Sequence, residues 1–321
     1  MTSCCPKVSV LIVSYNQEDL IGETIESIVS QGYENLEVVV ADDASTDNTR
    51  EVIREYQARY PSIIKPVFNP VNLGVTGNSN AAFQACTGEL LAIMGGDDLF
   101  LPGKIKAQVA LFEDPDVSLS YHPVEVFVHQ TGEILFVTNT TEKERINDVY
   151  DMIAKCGVPG ASSLMVRRSS CPEYGFDPSF PVVSDWLFSI EVALRGQVKE
   201  LAGVYGKYRK HGLGASERTF ELLDESLRTI DVISRRFPTD EKMKAACRKG
   251  RQRYLLGELF RQVVKKNVEK IKSLERYFLV DTNGLKRSLT KIMFALLGQK
   301  FVLQLISAPL GGLKNSLKRK A

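Results

Sequence analysis

Two pairs of adjacent aspartates stand where apolar runs stop. ELLAIM (residues 89–94) ends at Gly95-Gly96-Asp97-Asp98, and the run LEVVVAD (36–42) leads into Asp42-Asp43. Neighbouring carboxylates repel, and burying them without partners is expensive. Each pair therefore calls for a cation or for hydrogen-bond donors. A third polar cluster, Ser14-Tyr15-Asn16, closes the apolar run VSVLIVS (8–14). If the three runs are neighbouring strands of a parallel sheet, their ends gather several carboxylates and few cations on one rim. Mg2+ and Mn2+ prefer oxygen ligands and typically bind through one or two carboxylates together with substrate phosphates. The chemistry these residues suggest is a metal–diphosphate site.

The elements that must position them can be read from periodicity. In EDLIGETIESIVSQ (18–31), Leu20, Ile21, Thr24, Ile25 and Ile28 share one helical face. STDNTREVIREYQARY (45–60) opens with capping residues and turns Val52, Ile53 and Tyr56 inward. IIKPVFN (63–69) is a third, weaker strand, TGNSNAAFQACTG (76–88) a small-residue helix, and ELLAIM a fourth strand. Strands that are apolar throughout, alternating with helices, predict a parallel sheet covered on both faces. Ligands of such sheets bind at the carboxyl ends of the strands. From about Asp116 the pattern changes. Residues 117–137 alternate around the turn HQTGE and predict a hairpin, NDVYDMIAKCG a short helix, and SSLMVRR a strand. SDWLFSIEVALRG is helical, VKELAGVYGKYRKHG is strand-like, and beyond Gly214 three long helical runs follow, the middle one reading DEKMK to KIKSL without a break.

Among 321 residues, 44% are hydrophobic and 25% charged, the ordinary balance of a globular protein. Six cysteines (Cys4, Cys5, Cys86, Cys156, Cys171, Cys247) without C-x-x-C spacing read as reduced thiols of a cytoplasmic protein. Only three histidines argue against a histidine-rich metal site. The N-terminal apolar run is too short for a secretion signal. Charge is divided unevenly: Glu217 to the C terminus carries 24 Lys+Arg against 11 Asp+Glu, the preceding residues 17 against 28. No basic–aromatic interleaving or reading motif points to nucleic acid. The apolar stretch from Ile292 to Leu313 is interrupted by Lys300 and Pro309, which makes a poor transmembrane span. Two readings of this basic tail stay open: a helix lying on the inner face of an anionic membrane, and an ordinary intramolecular or homodimer-forming helix.

Several motifs, in order, resemble one family. PKVSVLIVSYNQEDLIGETIESIVSQGYENLEVVVADDASTDNTREVI is similar to the N-terminal signature of the family 2 inverting glycosyltransferases, and the likeness continues through NLGVTGNSNAAFQACTGELLAIMGGDDLFLPGKI. It is close over about the first 110 residues and sparser to Gly214. It implies a GT-A-like (Rossmann-like) α/β fold with a mostly parallel central sheet flanked by helices and a helical C-terminal extension. The implied division is 1–214 for the transferase domain (1–112 donor half, 113–214 acceptor half) and 215–321 for the basic helical region. The implied donor is a nucleoside-diphosphate sugar, the acceptor a saccharide or lipid-linked saccharide, the cofactor Mn2+ or Mg2+, and the setting bacterial surface polysaccharide or glycolipid assembly. Asp42 and Asp43 match the acidic pair at the nucleotide base, with Asp42 favoured, and the backbone of Val13, Ser14 and Tyr15 would line the same pocket. Asp97 and Asp98 match the end of the family's D-x-D(D) motif, whose first aspartate is here Gly95. Asp98 is then assigned the metal and Asp97 the ribose or a metal-bound water. FDPSFPVVSDWLF matches the stretch holding the general base, which falls on Asp185, and places Trp186 in the vicinity of the acceptor or diphosphate. YRKHG (208–212) matches a stretch whose histidine, here His211, approaches metal or diphosphate, with Arg209 in a lesser role.

Each assignment has a plainer competitor. Asp42-Asp43 could only cap a helix, and Asp97-Asp98 could be a solvated loop. Asp185 could interact only with a helix macrodipole. His211 could be a surface histidine and Trp186 a core residue. Two other classes of protein also remain. A non-catalytic nucleotide-sugar binding module is suggested by Gly95. A sugar nucleotidyltransferase would need a phosphate-gripping loop that SYNQEDLIGE lacks.

Overall fold

The computed structural model describes residues 5–212, 214, 218–280 and 282–307. The chain forms two compact units, Met1–Ala215 and Ser216–Ala321.

The first unit opens as the periodicity predicts: β1 (Val8–Ser14), α1 (Ile21–Val29), β2 (Leu36–Asp42), α2 (Thr49–Arg59), β3 (Ile64–Phe68), α3 (Gly74–Ala85) and β4 (Leu90–Gly95). Then come β5 (Leu99–Phe100), α4 (Lys104–Leu111), β6 (Val117–Tyr121), β7 (Glu125–Val128), β8 (Ile134–Val137), α5 (Val149–Lys155), β9 (Met165–Arg167), α6 (Ser184–Ala193), β10 (Gln197–Glu200) and β11 (Gly206–Lys210). Seven strands make the main sheet in the order β10-β6-β9-β4-β1-β2-β3. All its pairings are parallel except those of β9, which runs antiparallel to both β4 and β6.

β1 lies between β2 and β4, with Ser14 level with Asp42 and Val13 level with Gly95. The three polar strand ends therefore share one rim, as the apolar runs suggested. The core beneath it follows from the same patterning. Val8, Val10 and Ile12 of β1 pack with Ile21, Ile25 and Ile28 of α1, all fully buried. Each such side chain contributes about 1.5–3 kcal/mol relative to exposure.

A second sheet, ordered β5-β11-β7-β8, was not foreseen. The expected hairpin is there, β7 against β8 around HQTGE. β6, which would have begun it, belongs to the main sheet instead. The single strand expected over VKELAGVYGKYRKHG is two strands in different sheets.

The second unit is helical: α7 (Leu223–Arg236), α8 (Glu241–Val264), α9 (Val268–Leu279), α10 (Gly284–Leu297) and α11 (Lys300–Ser307). α8 and α9 were read as one run. The break is local: Lys266 takes a left-handed φ of 55°, and the Asn267 side chain accepts from the Lys270 amide to start a new helix.

Candidate active site

The two aspartates after β2 have different environments. Asp43 is buried, and both its oxygens are engaged: Oδ1 accepts from Asn69 Nδ2 at 3.1 Å and from the Leu73 amide at 2.8 Å, and Oδ2 accepts from the Gly74 amide at 2.9 Å. It holds the first turn of α3, where a carboxylate also meets the positive end of the helix dipole. Asp42 is fully buried. Its Oδ2 accepts from Arg50 Nε at 2.5 Å and from the Ser45 amide at 3.1 Å. Its Oδ1 has no hydrogen-bond donor in the protein among the described residues. A buried carboxylate oxygen left without a donor is unfavourable, so this atom is suited to receive an N–H from a ligand.

Around Asp42 the rim is built from backbone. Asn78 of α3 donates to the Ser14 carbonyl at 3.3 Å and the Ala41 carbonyl at 3.0 Å, tying β1 to β2 where they end. Ser14 turns its hydroxyl back to the Ala41 carbonyl, and Tyr15 stands about half exposed at the edge.

The GGDD turn after β4 is held from several sides. Gly96 donates to the Val13 carbonyl at 2.9 Å. A Cβ on Gly96 would stand 3.1 Å from both Ser14 Cβ and the Val13 carbonyl oxygen of β1 and would displace the Gln17 side chain, so the close approach to β1 favours glycine. The Thr24 hydroxyl of α1 lies 3.0 Å from the Gly96 carbonyl and 2.9 Å from that of Asp98, and is shared between them. Asp98 points inward and is buried. Oδ1 accepts from the Arg209 amide at 2.9 Å, and Oδ2 accepts from the Ser162 hydroxyl. Burial, with the Asp97 carboxylate beside it, pushes Asp98 up to about 7. Asp97 faces the other way, and its Oδ2 lies 2.9 Å from His211 Nε2. Both side chains keep some exposure, 21% and 12%.

The second sheet explains how His211 arrives there. β5 follows Asp98 directly and pairs antiparallel with β11, placing Leu99 opposite Lys207 and Phe100 opposite Gly206. β11 then delivers Arg209 and His211 to the turn. The Arg209 guanidinium is buried and engaged within the protein: Nε donates to the Asp97 carbonyl at 2.6 Å, Nη2 pairs with Glu23 at 2.6 Å, and Nη1 lies 3.0 Å from His129 Nδ1. Its observed contacts fasten the turn to the sheet and to α1.

Gly95 has a steric consequence as well. A Cβ there would stand 2.6 Å from Asp97 Oδ1, so the bare glycine leaves room for the carboxylate that meets His211.

Asp185 is exposed in the first turn of α6, where its Oδ1 accepts from the Trp186 amide at 2.8 Å. Trp186 is buried, with its ring against the Gly157 turn. The preceding residue, Ser184, places its hydroxyl 2.7 Å from that of Thr76, and the Thr76 amide donates to the Pro181 carbonyl. The first turn of α3 is thus gripped by Asp43 on one side and by the start of α6 on the other. This is how α6 and Asp185 are tied to the β2 end of the rim.

Sequence reasoning missed Arg50, Asn78, Thr24 and Ser162. The VPGASS segment (158–163) buries Ser162 and Ser163, and Ser162 donates to Asp98 of the turn. Among the described residues no three His, Cys, Asp or Glu side chains converge as a metal cluster. The pair Asp97–His211 offers one carboxylate oxygen and one imidazole nitrogen. That donor set fits a divalent ion bound largely through a ligand's phosphates.

The family model for glycosyl transferase family 2 matches residues 9–171. An uncharacterized glycosyltransferase of Nostoc sp. is 31% identical over 238 residues, 71% of this chain and 73% of the relative. The chain belongs to glycosyl transferase family 2. An uncharacterized protein of Mycobacterium tuberculosis, Rv1520, is 32% identical over 210 residues; the match spans 64% of this chain and 60% of that relative's length. A third relative, from Escherichia coli, is named UDP-Glc:alpha-D-GlcNAc-diphosphoundecaprenol beta-1,3-glucosyltransferase WfaP; it is 27% identical over 233 residues, 70% of this chain and 87% of that one. Among solved structures, S. aureus TarS 1-349 in complex with UDP-GlcNAc superposes with a TM-score of 0.64 at 16% identity, over 93% of this chain and 90% of that one. Mannosyltransferase PcManGT from Pyrobaculum calidifontis, in complex with GDP-Man and Mn2+, superposes with a TM-score of 0.62 at 16% identity, over 94% and 87%. This family 2 glycosyltransferase therefore has the GT-A-like α/β fold, with a helical C-terminal extension.

Proposed function

We propose that this glycosyltransferase moves a sugar from a nucleoside-diphosphate donor to a hydroxyl of a lipid-diphosphate-linked saccharide, with inversion, in bacterial surface polysaccharide or glycolipid assembly. The observation that carries the donor half of this reading is the buried Asp42 Oδ1, which has no hydrogen-bond donor among the described residues. Asp42 ends β2 at the rim, level with Ser14, and a ring N–H of a uracil or guanine base would supply that hydrogen bond. Uridine is the first choice, because the relative from Escherichia coli is named for UDP-Glc. That relative's name also motivates the lipid-linked acceptor.

The metal role is assigned to Asp97 and His211. Asp98, chosen from the sequence, has both oxygens engaged by Arg209 and Ser162 and is buried, whereas Asp97 and His211 face each other and keep access to solvent. A bound Mn2+ or Mg2+ would stabilise the charge on the departing diphosphate. Arg209 and Ser162 act by holding the turn that presents Asp97. Asp185 takes the proton from the acceptor hydroxyl as that oxygen attacks the anomeric carbon. No covalent intermediate is required, and one displacement inverts the configuration. Trp186 supports Asp185 from the core.

Incubation with UDP-glucose and a GlcNAc-diphosphate lipid tests the whole reading. The expected product is a new disaccharide whose anomeric proton shows the large coupling of a β linkage. An α-linked product would remove inversion, and no transfer from any UDP- or GDP-sugar would remove the transferase reading.

A further inference from the structure

α10 buries one side chain among its described residues. Phe294 is 1% exposed and packs on Phe278 of α9 with ring centroids 5.2 Å apart. At 100° per residue, Leu285, Leu289, Ile292 and Leu296 fall within about 60° of one another, on the side of the helix opposite Phe294. All four are exposed, Leu285 by 75%. α11 continues the pattern with Phe301 and Leu305, one turn apart and exposed by 69% and 61%. Both of the last two helices thus carry exposed apolar residues at helical spacing, unlike the scattered single apolar residues of an ordinary surface.

Charge indicates what covers these residues. From residue 284 to the C terminus there are eight Lys and Arg and no Asp or Glu. Two copies of so basic a segment would repel each other, whereas an anionic surface attracts it. Together α10 and α11 have the length and composition of a membrane-crossing segment only as a pair bent sharply at a break. No single described helix is long and apolar enough to cross a membrane, and α10 and α11 meet at 86°. The fourteen residues of α10 reach about 21 Å, short of the roughly 30 Å of a hydrocarbon core. Two helices joined at such an angle define a plane, and both can lie along a surface.

We infer that α10 and α11 form an in-plane foot that binds the interface of an anionic lipid bilayer. Leu285, Leu289, Ile292, Leu296, Phe301 and Leu305 enter the headgroup–acyl boundary, and the lysines and arginines engage lipid phosphates. The inference stands on this face alone and does not depend on the donor or acceptor proposed above.

The test is co-sedimentation of the full-length protein, without donor or metal, with phosphatidylcholine vesicles and with vesicles of phosphatidylcholine mixed with phosphatidylglycerol. Binding to the mixed vesicles is expected, weakening as salt is raised. Ile292→Glu/Leu296→Glu should reduce the partition by about tenfold or more, while Leu256→Glu, at an exposed apolar residue of α8, should leave it unchanged. All three positions are exposed, so far-UV circular dichroism should show the fold intact. Lys286→Glu/Lys291→Glu, which spares the apolar face, should abolish the preference for anionic vesicles. Failure to bind the mixed vesicles would overturn the inference. So would binding that survives the Ile292/Leu296 change, or a variant that loses self-association in place of lipid binding.

Discussion

Replacing Asp42 with Asn alters charge and hydrogen-bonding sense while keeping shape. In the native protein Oδ2 receives Arg50 Nε and the Ser45 amide, both donors. The amide oxygen of the variant must stay with those two, which turns its NH2 into the place of Oδ1. A group that accepted from the ligand now donates to it. For uridine, whose ring N–H also donates, a charge-assisted hydrogen bond is lost; such bonds contribute about 1.5–3 kcal/mol. At about 1.4 kcal/mol per factor of ten, UDP affinity should fall by roughly tenfold to a hundredfold. Cytosine presents a ring acceptor at the corresponding atom, so CDP should lose little affinity or gain some. The assay is calorimetric titration of UDP and CDP into both proteins. A melting curve must be run alongside, because the Arg50 ion pair is weakened too. A folded Asp42→Asn protein with native UDP affinity would refute the assignment of Asp42 to the base.

Three further outcomes are expected. Asp185→Asn should bind donor as the native protein does and lose transfer by about a hundredfold or more; full turnover in that variant would remove Asp185 from the mechanism. Gly95→Ala should push the Asp97 carboxylate off His211, since the new Cβ would meet it at 2.6 Å, and should lower metal-dependent turnover while leaving the melting temperature nearly unchanged. Lys104→Met concerns stability. Lys104 is wholly buried, donates to Gln108 at 2.7 Å, and burial pushes it from 10.5 down to about 7. The unfolded chain therefore binds the proton between pH 7 and 10.5 while the folded one does not, so this residue makes stability rise with pH across that window, by up to roughly 5 kcal/mol. Urea unfolding at pH 7 and pH 9 should show a clear rise in the native protein and a flatter response in the variant.

The donor half of the fold was legible because its strands are buried on both faces and read as unbroken apolar runs bounded by helices. β1, β2 and β4 could be placed side by side, and with them Ser14, Asp42 and Gly95 on one rim. The second sheet was not legible. β5 has two residues and β11 five, and neither carries a period long enough to separate it from a loop. What they accomplish, setting Arg209 and His211 against the GGDD turn, depends on pairing between residues more than a hundred apart. The same limit hid which of Asp97 and Asp98 turns outward. Adjacent aspartates look alike in sequence, and the difference comes from Ser162 and the Arg209 amide, both contributed by distant segments. In the second unit, the break between α8 and α9 was missed because KKN is compatible with a helix, and only the left-handed Lys266 ends it.

The measurement that bears most directly on the central claim is the melting temperature of the full-length protein with UDP, GDP, CDP and ADP, each with Mn2+, with Mg2+ and with EDTA. A ligand that binds only the folded state stabilises it by about 2.7 kcal/mol at a hundred times its Kd. The account predicts an upward shift of several degrees with UDP and metal, smaller with EDTA, and absent with CDP and ADP. No shift with any nucleoside diphosphate, or the same shift with all four, would contradict a donor site built around Asp42.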